Sequence, residues 1–76
     1  MVEAEKAALD FYKERRNPEK VKVNSCEPLG EGWRVVGYGS WSAQKSYSSE
    51  NFTIEIDRTG HIRSYKFEPG FSIAVG

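Results

Sequence analysis

The stretch Asn51-Phe-Thr-Ile-Glu-Ile-Asp-Arg-Thr-Gly-His-Ile-Arg-Ser-Tyr-Lys-Phe67 constrains the fold more than any other part of the chain. Phe52, Ile54 and Ile56 alternate with Thr53, Glu55 and Asp57, which is the two-residue period of a strand. Asp57-Arg58-Thr59-Gly60 then reads as a type I turn closed by a glycine that can take positive φ. A turn of this kind fixes a register. If Asp57 faces His61, then Ile56 faces Ile62, Glu55 faces Arg63, Thr53 faces Tyr65 and Asn51 faces Phe67. Glu55 and Arg63 would make a cross-strand charge pair.

That register sets Phe52, Ile54, Ile56 and Ile62 on one face and strands Tyr65 and Phe67 on the other. Three arrangements relieve the conflict. A bulge between Arg63 and Tyr65 returns both rings to the core. The tail Phe71–Val75 folds over them. Or they join Tyr38 and Val36 in an exposed patch that binds a partner or a second copy.

Upstream, residues 3–16 read as a helix. Ala4, Ala7, Ala8 and Phe11 recur at three- and four-residue spacing, and Leu9 and Tyr12 widen the stripe. Acidic residues open it, and Lys13, Arg15 and Arg16 close it, as the helix dipole favours. Asn17-Pro18 ends it. The alanines allow close approach to a sheet, and Phe11 and Leu9 plug its ends. A first strand is expected over 20–27 and a second over 33–41. The second carries Trp33, Val35, Gly37, Gly39 and Trp41 on one face and Arg34, Val36, Tyr38 and Ser40 on the other. Residues 42–50 read as a polar loop. Strands are expected over 51–57 and 61–68, Glu68-Pro69-Gly70 as a turn, and 71–75 as a possible fifth strand. The class is therefore α+β: one amino-terminal helix on a curled antiparallel sheet of four or five strands, in the order α-β-β-β-β, as a single domain over 1–76.

Charge and cysteine content narrow the functional classes. Lys plus Arg and Asp plus Glu number 11 each, so there is no basic excess to hold nucleic acid or a membrane surface. No apolar run approaches the roughly 20 residues of a membrane span, and the amino terminus has no apolar leader core. A soluble cytoplasmic protein is expected. The single cysteine, Cys26, forbids an internal disulfide and reads as a small packing residue. The single histidine, His61, has no companion at metal-ligand spacing. Glu55 and Asp57 share a strand face, but a salt-bridged surface explains them better than paired acid–base catalysis. No catalytic residue, metal or cofactor is expected.

The candidate binding residues are aromatic. Trp41 and Tyr47 flank the polar loop with Lys45 between them, and rings at a loop rim are common anchors for a protein partner. The same three side chains would also suit stacked single-stranded bases, a reading the neutral charge balance disfavours. Trp33 is expected in the core, whereas Trp41 is open to either role. Tyr38, Tyr65 and Phe67 complete the set.

The segment Glu31-Gly-Trp-Arg-Val-Val-Gly37, followed by Thr53-Ile-Glu-Ile-Asp-Arg-Thr-Gly-His-Ile62, resembles the pattern of PepSY-like and cystatin-like small α+β domains. The gas vesicle protein O family is similar across the same two strands. The resemblance spans roughly residues 3–67 and implies a non-enzymatic interaction domain, with no catalytic residue to carry over. Together these readings predict a small protein-interaction module that binds a protein or a second copy of itself. Its surface would be the aromatic loop, the outer sheet face or a sheet edge. The alternative is a cone-shaped binder of a small apolar ligand. In that case Gly37 and Gly39 would open space for the ligand instead of admitting the helix.

Overall fold

A computed structural model of the chain describes residues 2–74, with side chains described for 4–70. Helix α1 (Val2–Arg16) precedes strands β1 (Lys20–Leu29), β2 (Gly32–Ala43), β3 (Ser46–Asp57) and β4 (Ile62–Ala74). The strands form one antiparallel sheet in the order β1-β2-β3-β4, and α1 packs on one face of it. The helix ends as its sequence dictates. Asn17 takes a positive φ of 48° and donates its backbone N–H to the Lys13 carbonyl at 2.8 Å, a left-handed cap ahead of Pro18.

Ala4, Ala8 and Tyr12, four residues apart, form the buried stripe of α1. They meet Val35, Phe52, Ile54 and Ile56 from the two central strands. The approach is closest at Gly39. A Cβ there would lie 2.6 Å from Tyr12 Cε2 and 2.8 Å from Cζ. At Gly37 a Cβ would lie 2.7 Å from Phe52 Cζ. These two glycines therefore admit the rings of Tyr12 and Phe52, and the space above the sheet is filled by protein.

The turn of the third hairpin is as expected. Gly60 has a φ of 92° and donates to the Asp57 carbonyl at 3.1 Å, while Asp57 N–H donates to the His61 carbonyl at 2.9 Å. Ile56 faces Ile62, but Glu55 faces Ser64. Arg63 is the extra residue of a bulge, so the simple register fails from that point. Ile54 faces Tyr65 and Phe52 faces Phe67. Both rings thus stand on the helix side of the sheet, where Tyr12 meets Phe67 edge-on at 5.3 Å and Phe11 meets Tyr65 at 5.2 Å. The expected Glu55–Arg63 pair does not form. Glu55 accepts instead from Arg34 across β2 at 3.4 Å. The outer-face patch of Tyr38 with Tyr65 and Phe67 is likewise not formed.

The strands run farther than their apolar alternation. Residues 42–50 are not a loop. β2 continues to Ala43 and β3 starts at Ser46, joined at Gln44-Lys45. Glu68-Pro69-Gly70 is not a turn, because β4 passes straight through it with Gly70 as a second bulge between the Glu50–Pro69 and Ser49–Phe71 pairs. Residues 71–74 therefore continue β4 and do not form a fifth strand, and Val75 lies outside the described residues. Serines that carry no hydrophobic signal are held extended here by ladders on both sides.

The Asp57 carboxylate organises the hairpin turn. Its Oδ1 accepts from Thr59 Oγ1 at 2.6 Å and from the backbone N–H of Thr59 and His61 at 2.9 Å each. The Thr59 hydroxyl, followed by the His61 amide, holds this carboxyl below its ordinary range. A depressed carboxyl stabilises the fold at every pH above its unfolded value near 4, and that contribution is lost as pH falls through the lower folded value. Amide exchange at Thr59 and His61 should therefore accelerate beyond the intrinsic trend as the pH falls below about 4. Asp57→Asn should remove that acid-dependent step.

Candidate interaction surface

The sheet outruns its helix. The molecule extends 47 Å along its long axis, whereas a 15-residue helix spans only about 22 Å. The helix stops at the level of Trp41, whose indole N–H donates to the Asn17 carbonyl at 3.1 Å. β1 stops there too, since its first residue, Lys20, pairs with Ser40. Beyond that level only β2, β3 and β4 continue, as Trp41–Ala43 against Ser46–Ser48 against Ser72–Ala74. Among the described residues no helix covers either face of this three-stranded tip.

The base of the tip is rigid. Glu50 continues the Phe52, Ile54, Ile56 alternation onto the helix face and is buried. It accepts from the Tyr12 hydroxyl at 2.9 Å. Arg16 grips it twice, Nε to Oε1 at 2.7 Å and Nη2 to Oε2 at 3.0 Å. A two-pronged guanidinium–carboxylate contact is the strong form of this interaction, and it satisfies a charge that would be costly to bury alone. Burial, followed by the Glu50 carboxylate, holds the Tyr12 hydroxyl well above its usual range, so it stays a donor. The Glu50 hydrogen bond likewise holds the Arg16 guanidinium in its charged form. The Arg16 guanidinium lies 5.7 Å from the Trp41 ring. On the other side of Trp41, Ser42 donates its backbone N–H and hydroxyl to Glu19, and these bonds lower the Glu19 carboxyl.

Two depressions flank the tip. A groove of about 540 Å³ on the helix side is lined by Arg16, Trp41, Ser48, Glu50, Pro69 and Gly70. A smaller one of about 360 Å³ on the outer face is lined by Lys20, Lys22, Tyr38, Ser40 and Tyr47. No family model, curated protein or solved structure matches this chain. The surface therefore has to be read from its own residues.

The six aromatic and basic candidates fall in four places. Trp41 rims the helix-side groove. Tyr38 and Tyr47 line the outer depression, and Lys45 is exposed at the hairpin turn. Tyr65 and Phe67 belong to the helix-side cluster, with the Arg15 guanidinium 5.2 Å from the Tyr65 ring. Trp33 is half-buried and lines a cavity of about 110 Å³ beside Ala4 and Ile56 at the opposite end. Two residues central to the site carried no motif. Glu50 was legible only through its parity with Phe52, and Arg16 only through its place one helical turn after Tyr12.

The tip is also depleted in charge. Residues 41–49 and 70–74 contain one charged side chain, Lys45, whereas 14 residues of average composition here would hold about four. Among the described residues no group of three His, Cys, Asp or Glu side chains is placed to hold a metal ion. No helix among them is long and apolar enough to cross a membrane.

Proposed function

We propose that this protein is a non-enzymatic protein-interaction module that docks its partner on the tip of its sheet. One observation carries the reading: the tip projects past the helix, has none of the helix over it and is nearly free of charge. Charge depletion with aromatic residues at the centre is the compositional mark of an interface core. Trp41 and Tyr47 supply the rings, and the Arg16–Glu50 grip gives them a stiff base.

The chemistry elsewhere supports a binding role. The His61 side chain is 83% exposed in a turn. Burial pushes the Cys26 thiol up, away from the reactive thiolate a nucleophile needs. The space that an apolar ligand would occupy above Gly37 and Gly39 is filled by Phe52 and Tyr12.

The test is photo-crosslinking in cells that express the protein, with benzoylphenylalanine in place of Tyr47 or, as control, of Lys13 on the exposed helix surface. Discrete protein adducts from position 47 and none from position 13 are expected. Adducts from both positions alike, or from neither, would overturn the reading.

A further inference from the structure

We infer that the partner of this tip is a second copy of the chain, joined edge to edge through Phe71–Ala74 of β4. This rests on the interaction reading above and names its partner.

An open sheet has two edges, and edges are ordinarily blunted by charge, proline and bulges. β1 carries all three: Lys20 and Lys22, a register break at Asn24, and Glu27-Pro28. The first half of β4 is guarded the same way, by the Arg63 bulge, Lys66, Glu68 and Pro69. A second bulge follows at Gly70. Past that bulge the guards stop. Phe71-Ser-Ile-Ala74 has no charge and no proline, pairs regularly with β3 from Ser49 to Ser46, and is the outermost strand of the tip.

A strand with such an edge can add another strand, and a copy of itself is the partner that matches automatically. Antiparallel pairing of identical segments about a twofold axis is self-complementary, the isologous arrangement of most homodimers. With the axis at Ser72, Phe71 faces Ile73 of the second copy and Gly70 faces Ala74 of the second copy. The two sheets become one of eight strands, both helices lie on the same face, and the grooves beside Pro69 and Gly70 approach each other across the junction. The guarded halves of the two β4 strands diverge from the axis, so charge stays out of the join.

A twofold axis makes a sharp test, because any charge placed on it meets its own copy. Ser72→Lys sets two ammonium groups on directly opposed residues, whose Cβ atoms lie about 5 Å apart. Sedimentation equilibrium from about 1 μM to about 1 mM should show the wild type dimerising. Ser72→Lys and Ser72→Glu should each weaken that dimer at least about tenfold. An equimolar mixture of the two variants should recover it as a heterodimer. That recovery is the signature, since a variant that had merely lost its fold would not be rescued by another. A wild type monomeric throughout overturns the inference, as do variants that dimerise like wild type or a mixture that fails to recover. If the wild type is monomeric while position 47 still captures a different protein, the self-pairing falls and the interaction module stands. If the wild type is monomeric and position 47 captures nothing, both fall.

Discussion

A chain lacking Lys66 should lose most of its stability, whereas a chain lacking Arg63, three residues earlier in the same strand, should keep it. Deletions inside a strand normally reverse every side chain beyond them. Arg63 is the exception because it is the surplus residue of a bulge. Without it, Ile62, Ser64 and Tyr65 pair with Ile56, Glu55 and Ile54 as they already do, now with regular alternation. The expected cost is no more than about 1 kcal/mol, for altered local twist. Lys66 is a regular residue that spaces Tyr65 from Phe67. Without it Phe67 turns to the outer face, and Glu68 comes to face Phe52, which is fully buried. Taking a half-buried ring off the helix face costs about 1–2 kcal/mol, and the carboxylate set against the core in its place adds a cost of similar size or more. A domain of this size has about 5 kcal/mol to lose. Thermal denaturation followed by near-ultraviolet circular dichroism should show a cooperative transition for the chain lacking Arg63 and none for the chain lacking Lys66. Equal damage from both would mean that Arg63 is paired and that the bulge lies elsewhere.

The same residues show what was legible in the chain and what was not. The α-β-β-β-β order was readable because each element carries its own period, and the Asp57–Gly60 turn because its chemistry is local. The placement of Tyr65 and Phe67 was readable only as a conflict. Two residues stand between Ile62 and Tyr65, an even number that would set them on opposite faces, and the bulge at Arg63 resolves it. The true ends of β2, β3 and β4 were not readable. Ser42, Ser46 and Ser48 have no burial pattern, and their strand state comes from neighbours far away in sequence. Glu68-Pro69-Gly70 reads as a turn, and only the ladder to Ser49 and Glu50 shows it to be strand with a bulge. The tip, and with it the candidate surface, came from that lengthening. Individual residues such as Trp41 and Tyr47 could be picked out from sequence, but not the three-stranded projection that carries them.

Gly39→Ala should be costly, and its cost should vanish when Tyr12 is shortened. The added Cβ falls between 2.6 and 2.8 Å from two carbons of the Tyr12 ring and collides with its hydroxyl. That ring cannot step aside. It is fully buried, stacked on Phe52 at 4.4 Å, and its hydroxyl is tied to Glu50, which Arg16 in turn holds. The helix must therefore lift from the sheet or Glu50 must lose a donor. Overpacking of this kind costs about 1–3 kcal/mol, equivalent to roughly 4–8 °C in Tm per kcal/mol for a domain of this size. Tyr12→Leu keeps apolar bulk on the helix while removing the ring atoms that the new methyl meets. In that background Gly39→Ala should cost nothing measurable or stabilise slightly, because alanine has less backbone freedom to lose than glycine. The double-mutant cycle should thus return a coupling of at least about 1 kcal/mol, well beyond the few tenths found for independent sites. An additive cycle would mean that Tyr12 does not lie over Gly39. The helix would then cross the sheet elsewhere, and the base of the tip would need another explanation.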